Sequence, residues 1–366
     1  MQPLPQRGVP LAERHQNGSP AQTLDWESVR IFLEVVRRGS FRSAAEYLGQ
    51  SVNVLRRRIH ELEHQLGTTL LTRHVDGVRT TTEGTQIIAA AKQMETASFG
   101  LVRARDRTQP SLTGEVRIAV TEGLGTFWLA PRLVEFQRSY PGLVVDLSCA
   151  MRSADVLRLE AEAAVQLTKP TAADLKVVKL ARLHVMPFVG RSYAEMYGMP
   201  KTREEMLKHR IVLQVAEQVT TREGYDRLFP GVPQAGFVAI RTNVSSAHYW
   251  AIAKGAGIGW LPTYAGAIGA RVLPLDIDPD LRFSFDVWLT YHPDVNGIPR
   301  VRRTIDWIIE TFDSRQFPWF GDSFIHPNDL PREYRGAPLV NLFEGFVGGE
   351  WPTTNGTNAR LATNGA

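Results

Sequence analysis

Three consecutive arginines, Arg56, Arg57 and Arg58, follow Ser51, Val52 and Asn53 in a stretch where Leu55, Ile59, Leu62 and Leu66 recur at intervals of four, three and four. That spacing puts the four apolar side chains on one side of a helix and fans the guanidinium groups around the other. In a major groove, arginine reads guanine and asparagine reads adenine through paired hydrogen bonds. Asn53 thus suits adenine, Arg56 guanine and Val52 a thymine methyl, each good bidentate base contact being worth about 1–3 kcal/mol of discrimination. Arg57, with Arg42, Ser51, Arg73 and Arg79, suits phosphate contacts, which orient a protein on duplex DNA without reading its sequence. Arg58 completes the basic outer face.

The neighbouring segments must hold that helix. Val29, Phe32, Leu33 and Val36 repeat at helical spacing and Gly39 stops the run, giving a first helix of about three turns. Ser40 stands at an N-cap position, FRSAAEYL makes a short second helix with small residues Ala44 and Ala45, and Gly49 marks the turn. Gly67 ends the third helix, and TTLLTR and GVRTTT flank His74, Val75, Asp76 and Gly77 as a small hairpin. The unit reads as a winged helix-turn-helix over residues 24–81.

Thr81 can cap a long helix over 82–108, with Ile87, Ile88, Ala91, Met94, Ala97, Leu101 and Val102 on one side. One helix cannot bury such a stripe, so a second copy of the chain is the expected partner. Between Arg30 and Arg107 there are 13 Lys+Arg against 8 Asp+Glu, whereas the whole chain carries only +4. Positive charge is therefore concentrated where a polyanion would bind.

After a break at Pro110–Gly114 the pattern changes to strands alternating with helices: EVRIAV, FWLAPRLVEFQRSY, LVVDLSC, a helical SADVLRLEAEA, AAVQL, KVVKLARLHVMPFVG, a helical KTREEMLKH, RIVLQV, SSAHYWAIAKG, GIGWLP, RFSFDVWLTYH and PRVRRTIDWIIETFD. This implies α/β units around a largely parallel sheet. Thr121, Glu122 and Gly123 follow the first of these strands and precede a helix expected near Thr126, where free backbone N–H groups favour an anion and where ligands of open α/β sheets bind. A carboxylate ligand would meet repulsion from Glu122. Residues 1–23, rich in Pro and Gln, read as a disordered tail, and 313–366 as an irregular arm running into a disordered end.

Taken together, these segments resemble the LysR-type transcriptional regulators over about residues 24–312. The resemblance rests on IFLEVVRRGSFRSAAEYLGQSVNVLRRRIHELEHQLGTTLLTR and on the TTEG ending, whose GSF, double Ala and I-x-x-LE-x-x-LG run keep the family spacing. Members usually read S-Q-P-A-L-S-R-Q-I where this chain has Ser51 to Ile59, so its base contacts should differ. The resemblance implies an α/β protein with a winged helix-turn-helix, a linker helix at 82–108 and a two-lobed, periplasmic-binding-protein-like effector domain at 115–312. Lobe I would comprise 115–166 and 264–312, and lobe II 167–263. It further implies double-stranded DNA, a small-molecule effector, self-association into homodimers and homotetramers, and RNA polymerase as candidate partners, in the cytoplasm. The effector site would add Met151, Ser153, Gln166, Thr168, Thr242 and Asn243 to Thr121, Glu122 and Gly123.

Enzyme chemistry finds little support: CxxC and GxSxG are absent, and neither cofactor nor metal is called for. Gly255, Gly257 and Gly259 follow a helix and lead into a strand, the reverse of a dinucleotide loop. Cys149, the single cysteine, excludes an intrachain disulfide, and no run approaches the roughly 20 apolar residues that span a bilayer. A two-lobed solute-binding protein would carry an export signal, which residues 1–23 do not resemble.

Overall fold

The computed structural model describes residues 24–74, 77–107, 112–215, 222–268 and 271–336, and the chain divides into two compact units after Gly100. The expected tail 1–23, the wing-tip residues Val75 and Asp76, and the arm beyond residue 336 lie outside the described residues.

In the first unit, helices α1 (Trp26–Arg38), α2 (Phe41–Leu48) and α3 (Val52–Leu66) end on Gly39, Gly49 and Gly67, all left-handed. Glycine takes that conformation without a Cβ penalty, so the helices stop where the sequence places it. Asp25, Ser40 and Ser51 cap the three N-termini, each accepting a backbone N–H one turn on. Leu55, Ile59 and Leu62 are buried among Val29, Phe32, Leu33, Ala44 and Ala45.

Strands β1 (Leu71–His74) and β2 (Gly77–Thr80) form the wing, with Thr72 opposite Arg79 and Arg73 opposite Val78. Side chains on adjacent positions of a strand face opposite ways, so Arg73 and Arg79 project from opposite faces of this ribbon. Glu63 Oε1 accepts the N–H groups of Leu70 at 2.8 Å and Leu71 at 3.2 Å, tying the wing to α3. Val78 donates to the Gly39 carbonyl at 2.7 Å. Thr81 Oγ1 accepts the Gly84 N–H at 2.9 Å and donates to the Thr69 carbonyl at 2.7 Å, which starts α4 (Thr82–Arg107) at the wing's base. A Cβ on Gly84 would stand 2.2 Å from the Leu70 carbonyl oxygen, so this contact admits only glycine. On α4, Ala91 is buried and Ile87 and Ile88 pack partly, whereas Met94, Leu101 and Val102 are exposed.

The second unit contains a mixed sheet rather than a largely parallel one. Its order is β4 (Leu143–Ala150), β3 (Gly114–Thr121), β5 (Ala163–Gln166), β11 (Phe283–Tyr291), β6 (Lys176–Gly190), β9 (Ile258–Pro262), β7 (Ile211–Gln214), β8 (Val238–Thr242), with β10 (Val272–Pro274) beside β6. Strand β3 (Gly114–Thr121) leads into α5 (Glu122–Leu124), a π turn (Gly125–Leu129) and α6 (Ala130–Ser139), followed by β4 (Leu143–Ala150) and β5 (Ala163–Gln166). Helix thus begins at Glu122, not near Thr126. Residues 153–162 follow an irregular path with a turn at 156–159 instead of the expected helix over 153–163. There Glu160 Oε2 accepts the Asp155 N–H and Asp155 Oδ1 the Arg158 N–H, and carboxylates that capture local backbone donors compete with a helix.

Strand β6 (Lys176–Gly190) pairs antiparallel with β11 (Phe283–Tyr291) along its first part and with β9 (Ile258–Pro262) along its second. This is why the expected largely parallel arrangement fails: one long strand serves both halves. Between these strands run α7 (Arg191–Tyr197), α8 (Arg203–Met206), β7 (Ile211–Gln214), α9 (Arg222–Leu228), β8 (Val238–Thr242) and α10 (Ser245–Ala253). Helix α8 covers only part of the expected 201–209. The glycines from Gly255 to Gly259 carry α10 into β9, and a Cβ on Gly257 would meet the Arg210 carbonyl oxygen at 2.4 Å. After α11 (Ala265–Ile268), β10 (Val272–Pro274) pairs with the β6 end that joins β9, and β11 then pairs with β5 and the first part of β6.

Helix α12 (Pro299–Thr311) closes the first half, burying Val301, Ile305 and Ile308 against Val116, Ile118 and Val120 of β3. The chain then runs through α13 (Leu330–Glu333), and on the way Trp319 and Phe320 are buried against Trp128, at ring-centroid distances of 5.5 and 4.8 Å. Arg132 lies over the Trp128 ring at 3.3 Å, and burial lowers its guanidinium to about 10. No helix among the described residues is long and apolar enough to cross a membrane.

Candidate nucleic-acid interface and ligand cleft

Opposite the buried Leu55, Ile59 and Leu62, helix α3 exposes Asn53, Arg57, His60 and His64 at intervals of four, three and four. Arg56 flanks this row on the wing side. There Arg56, Arg57, His60 and Arg73 line a groove of about 350 Å³ between α3 and β1. Arg56 also lies 5.8 Å from the Phe41 ring centroid, a cation–π contact that holds the side chain without using its charge in an ion pair. Arg57 faces Glu61 at 3.6 Å with both side chains exposed, a pairing worth at most about 1 kcal/mol and easily exchanged for a phosphate.

The other expected contacts divide. Arg42 is exposed on α2 beside Glu46 at 3.4 Å, and Arg79 is exposed on the wing face away from the groove. Ser51 is exposed but its Oγ accepts the Val54 N–H at 3.3 Å as the helix cap. Val52 is half-buried against the helical core and is not presented with Asn53. Arg58 turns inward to the α1 N-terminus, its Nη1 3.1 Å from Asp25 Oδ2, so the basic face consists of Arg56 and Arg57 rather than three arginines. The carboxyl of Asp25 is held below its ordinary range chiefly by the Ser28 hydroxyl, with Arg58 contributing. His60 was not singled out from the sequence; its place on the Asn53–Arg57 row was the available signal.

In the second unit a cavity of about 120 Å³ opens between α5 and α10. Thr121 and Gly123 line it, as expected, together with Phe127, Leu183, Phe229, Trp260, Phe283 and Phe285. Gln214, Ser245, His248 and Tyr249 give it its polar edge. Gln214 Nε2 donates to Ser245 Oγ at 2.8 Å, and Met151 Sδ stands 3.8 Å from that nitrogen, so Met151 supports the cavity's polar edge from outside. A Cβ on Gly123 would lie 2.9 Å from the Ser245 Cβ, which lets the two helix starts abut.

Glu122 is buried and reaches across this junction: Oε2 accepts the Ser246 N–H at 3.0 Å and Oε1 the Thr126 hydroxyl at 3.1 Å. Gln166 is buried but donates to the Thr168 carbonyl at 2.7 Å, closing its own strand end. Thr242 Oγ1 accepts the Val244 N–H at 3.1 Å. Thr168 and Asn243 are exposed and Ser153 is part-buried in the irregular stretch after β4, and none of these lines the cavity. His248 Nε2 lies 3.2 Å from the Trp260 carbonyl oxygen, and burial pushes its imidazole down to about 4. Nε2 therefore carries the proton and Nδ1 is a bare acceptor. Burial also raises the Tyr249 phenol, which stays protonated. Sequence spacing could not reveal His248 or Tyr249, because only the tertiary fold brings Phe283 and Trp260 over α10.

Both regions of the chain have counterparts among known proteins. Residues 26–85 match the bacterial regulatory helix-turn-helix protein, lysR family, and residues 109–313 match the LysR substrate binding domain. An HTH-type transcriptional regulator of Xanthomonas campestris pv. campestris is 32% identical over 194 residues, covering 51% of this chain and 55% of that protein. The HTH-type transcriptional regulator YhjC of Escherichia coli is 28% identical over 185 residues, covering 50% of this chain and 62% of that protein. The chain thus spans somewhat over half the length of these two relatives. The full-length Vibrio cholerae virulence activator AphB, at 17% identity, superposes with a TM-score of 0.48 over 78% of this chain and 99% of its own. With a helix-turn-helix and a substrate-binding region both matched, the chain belongs to the LysR family.

Proposed function

We propose that this protein is a transcriptional regulator, not an enzyme, that binds duplex DNA through α3 and the wing and responds to a small molecule held between α5 and α10. The observation that carries the reading is the row Asn53–Arg57–His60 beside the Arg56–Arg73 groove, a basic, convex helix face backed by a packed core. Asn53 and Arg56 are the base readers, and Arg57, Arg42, Ser51, Arg73 and Arg79 the phosphate contacts. Val52 and Arg58 have supporting roles in this assignment.

Exposed Met94, Leu101 and Val102 on α4 support pairing with a second copy. A dimer would set two α3 helices about one DNA turn, ~34–36 Å, or a multiple apart. Tetramerisation through the second unit, contact with RNA polymerase and a cytoplasmic setting follow from a regulator's role. The effector would act by favouring one arrangement of the two lobes, 115–166 with the return strand β11 and α12 against the intervening segment, and so change the spacing of the DNA readers.

Gel-shift titration of the full chain against fragments of its own genome, at several salt concentrations, tests the DNA assignment. A steep fall of affinity with salt and selection of particular fragments are expected. Absence of binding to every fragment at low salt would refute it.

A further inference from the structure

The cleft also specifies what kind of molecule it takes, an inference that rests on the effector reading above. Helix α10 has no side-chain cap of its own, and its N-terminal N–H groups are where a ligand's anionic end would be held. The chain places its own carboxylate there: Glu122 Oε2 accepts the Ser246 N–H at 3.0 Å. An incoming carboxylate would meet that oxygen instead of a free donor.

A second observation is independent of the first. The cavity wall is almost wholly hydrocarbon and aromatic, yet His248 Nδ1 and the Tyr249 hydroxyl are buried with no hydrogen-bond partner among the described residues. Both residues line the cavity, and they are only 2% and 4% exposed. A buried polar atom left unpaired is costly, and a ligand that pairs it recovers that cost. The volume of about 120 Å³ is close to that of an apolar cavity of about 150 Å³ known to bind benzene.

We propose that the cleft binds an uncharged molecule about the size of one aromatic ring bearing a hydroxyl or N–H group. The ring lies among Phe127, Leu183, Trp260 and Phe283, and the donor bonds to His248 Nδ1, with the Tyr249 O–H available to an acceptor. Anionic ring compounds are excluded by Glu122.

Calorimetric titration of the full chain with phenol, toluene and benzoate tests this, since the three share a ring and differ in donor and charge. Phenol should bind about tenfold tighter than toluene, the worth of one buried hydrogen bond. Benzoate should bind most weakly. Glu122→Gln should improve benzoate binding and leave phenol unchanged, and His248→Phe should abolish phenol's advantage over toluene. Because His248→Phe can disturb packing, the 15N resonance of His248 Nδ1 in the unaltered chain gives a second reading: it should move with phenol and not with toluene. Equal binding of phenol and toluene, a static Nδ1 resonance, or benzoate binding as tightly as phenol would overturn the ligand class while leaving the cleft as an effector site. Silence from all three probes would remove the ligand class too. If DNA binding is also indifferent to them and to extracts of the source cells, the effector reading falls with it.

Discussion

Arg58 Nη1 lies 3.1 Å from Oδ2 of Asp25, the residue that caps α1, and this pairing separates Arg58 from the two arginines before it. One hundred degrees of helical rotation per residue sends Arg56 to the wing, Arg57 straight out and Arg58 back to the first helix. Three neighbours in sequence therefore have three different surroundings.

Arg57→Ala should weaken binding to all duplexes and reduce the log–log salt slope by about 0.9, the value for one phosphate contact. Arg58→Ala should leave that slope unchanged. Gel-shift titrations of both variants across salt distinguish the two roles.

Gly84→Ala should destabilise the first unit by about 1–3 kcal/mol, the usual cost of forcing extra atoms into a packed contact. The new methyl would collide with the Leu70 carbonyl at the wing's base. Denaturant unfolding followed by circular dichroism measures the loss.

Arg37 joins α1 to α4, bonding Glu34 at 2.8 Å and Glu95 at 2.5 Å. Glu95 is buried, and Arg37 keeps a raised guanidinium because these two carboxylates outweigh the burial that opposes its charge. Glu95→Gln should cost about 1.5–3 kcal/mol, the range for a hydrogen bond to a charged group. The unfolding midpoint of the full chain provides the check.

His248 carries a pH dependence of known sign. Burial holds its folded imidazole at about 4 against an ordinary 6.5, so the unfolded chain takes up a proton first. The stabilising contribution is complete above pH 6.5 and is lost as pH falls toward 4, amounting to about 3 kcal/mol across that window. Comparing urea midpoints of the unaltered chain and His248→Gln from pH 7 to 4.5 isolates this term, and the difference between them should narrow as the solution is acidified.

Local signals were the legible part of this protein. Glycine stops, serine caps and the Leu55–Ile59–Leu62 stripe defined the helix-turn-helix, because each acts over one or two turns of chain. Residues 153–163 carry helical spacing, yet 153–162 fold irregularly around one turn, since Asp155 and Glu160 take backbone donors that a helix would need. Glu122, expected beside an anion site at Thr121–Gly123, instead caps the start of α10 through Ser246, 124 residues away, a distance no pattern spans. His248 looked isolated in sequence because its surroundings, Trp260 and Phe283, are assembled only by the sheet.

The match to the LysR substrate binding domain stops at residue 313, but Trp319 and Phe320 beyond it pack onto Trp128 and Tyr264. Where recognisable similarity ends and where folding independence ends are consequently different places. A shortened clone cut at the first boundary would bare an indole and a phenol that the intact chain keeps dry, and its poor solubility would report the scissors rather than the protein.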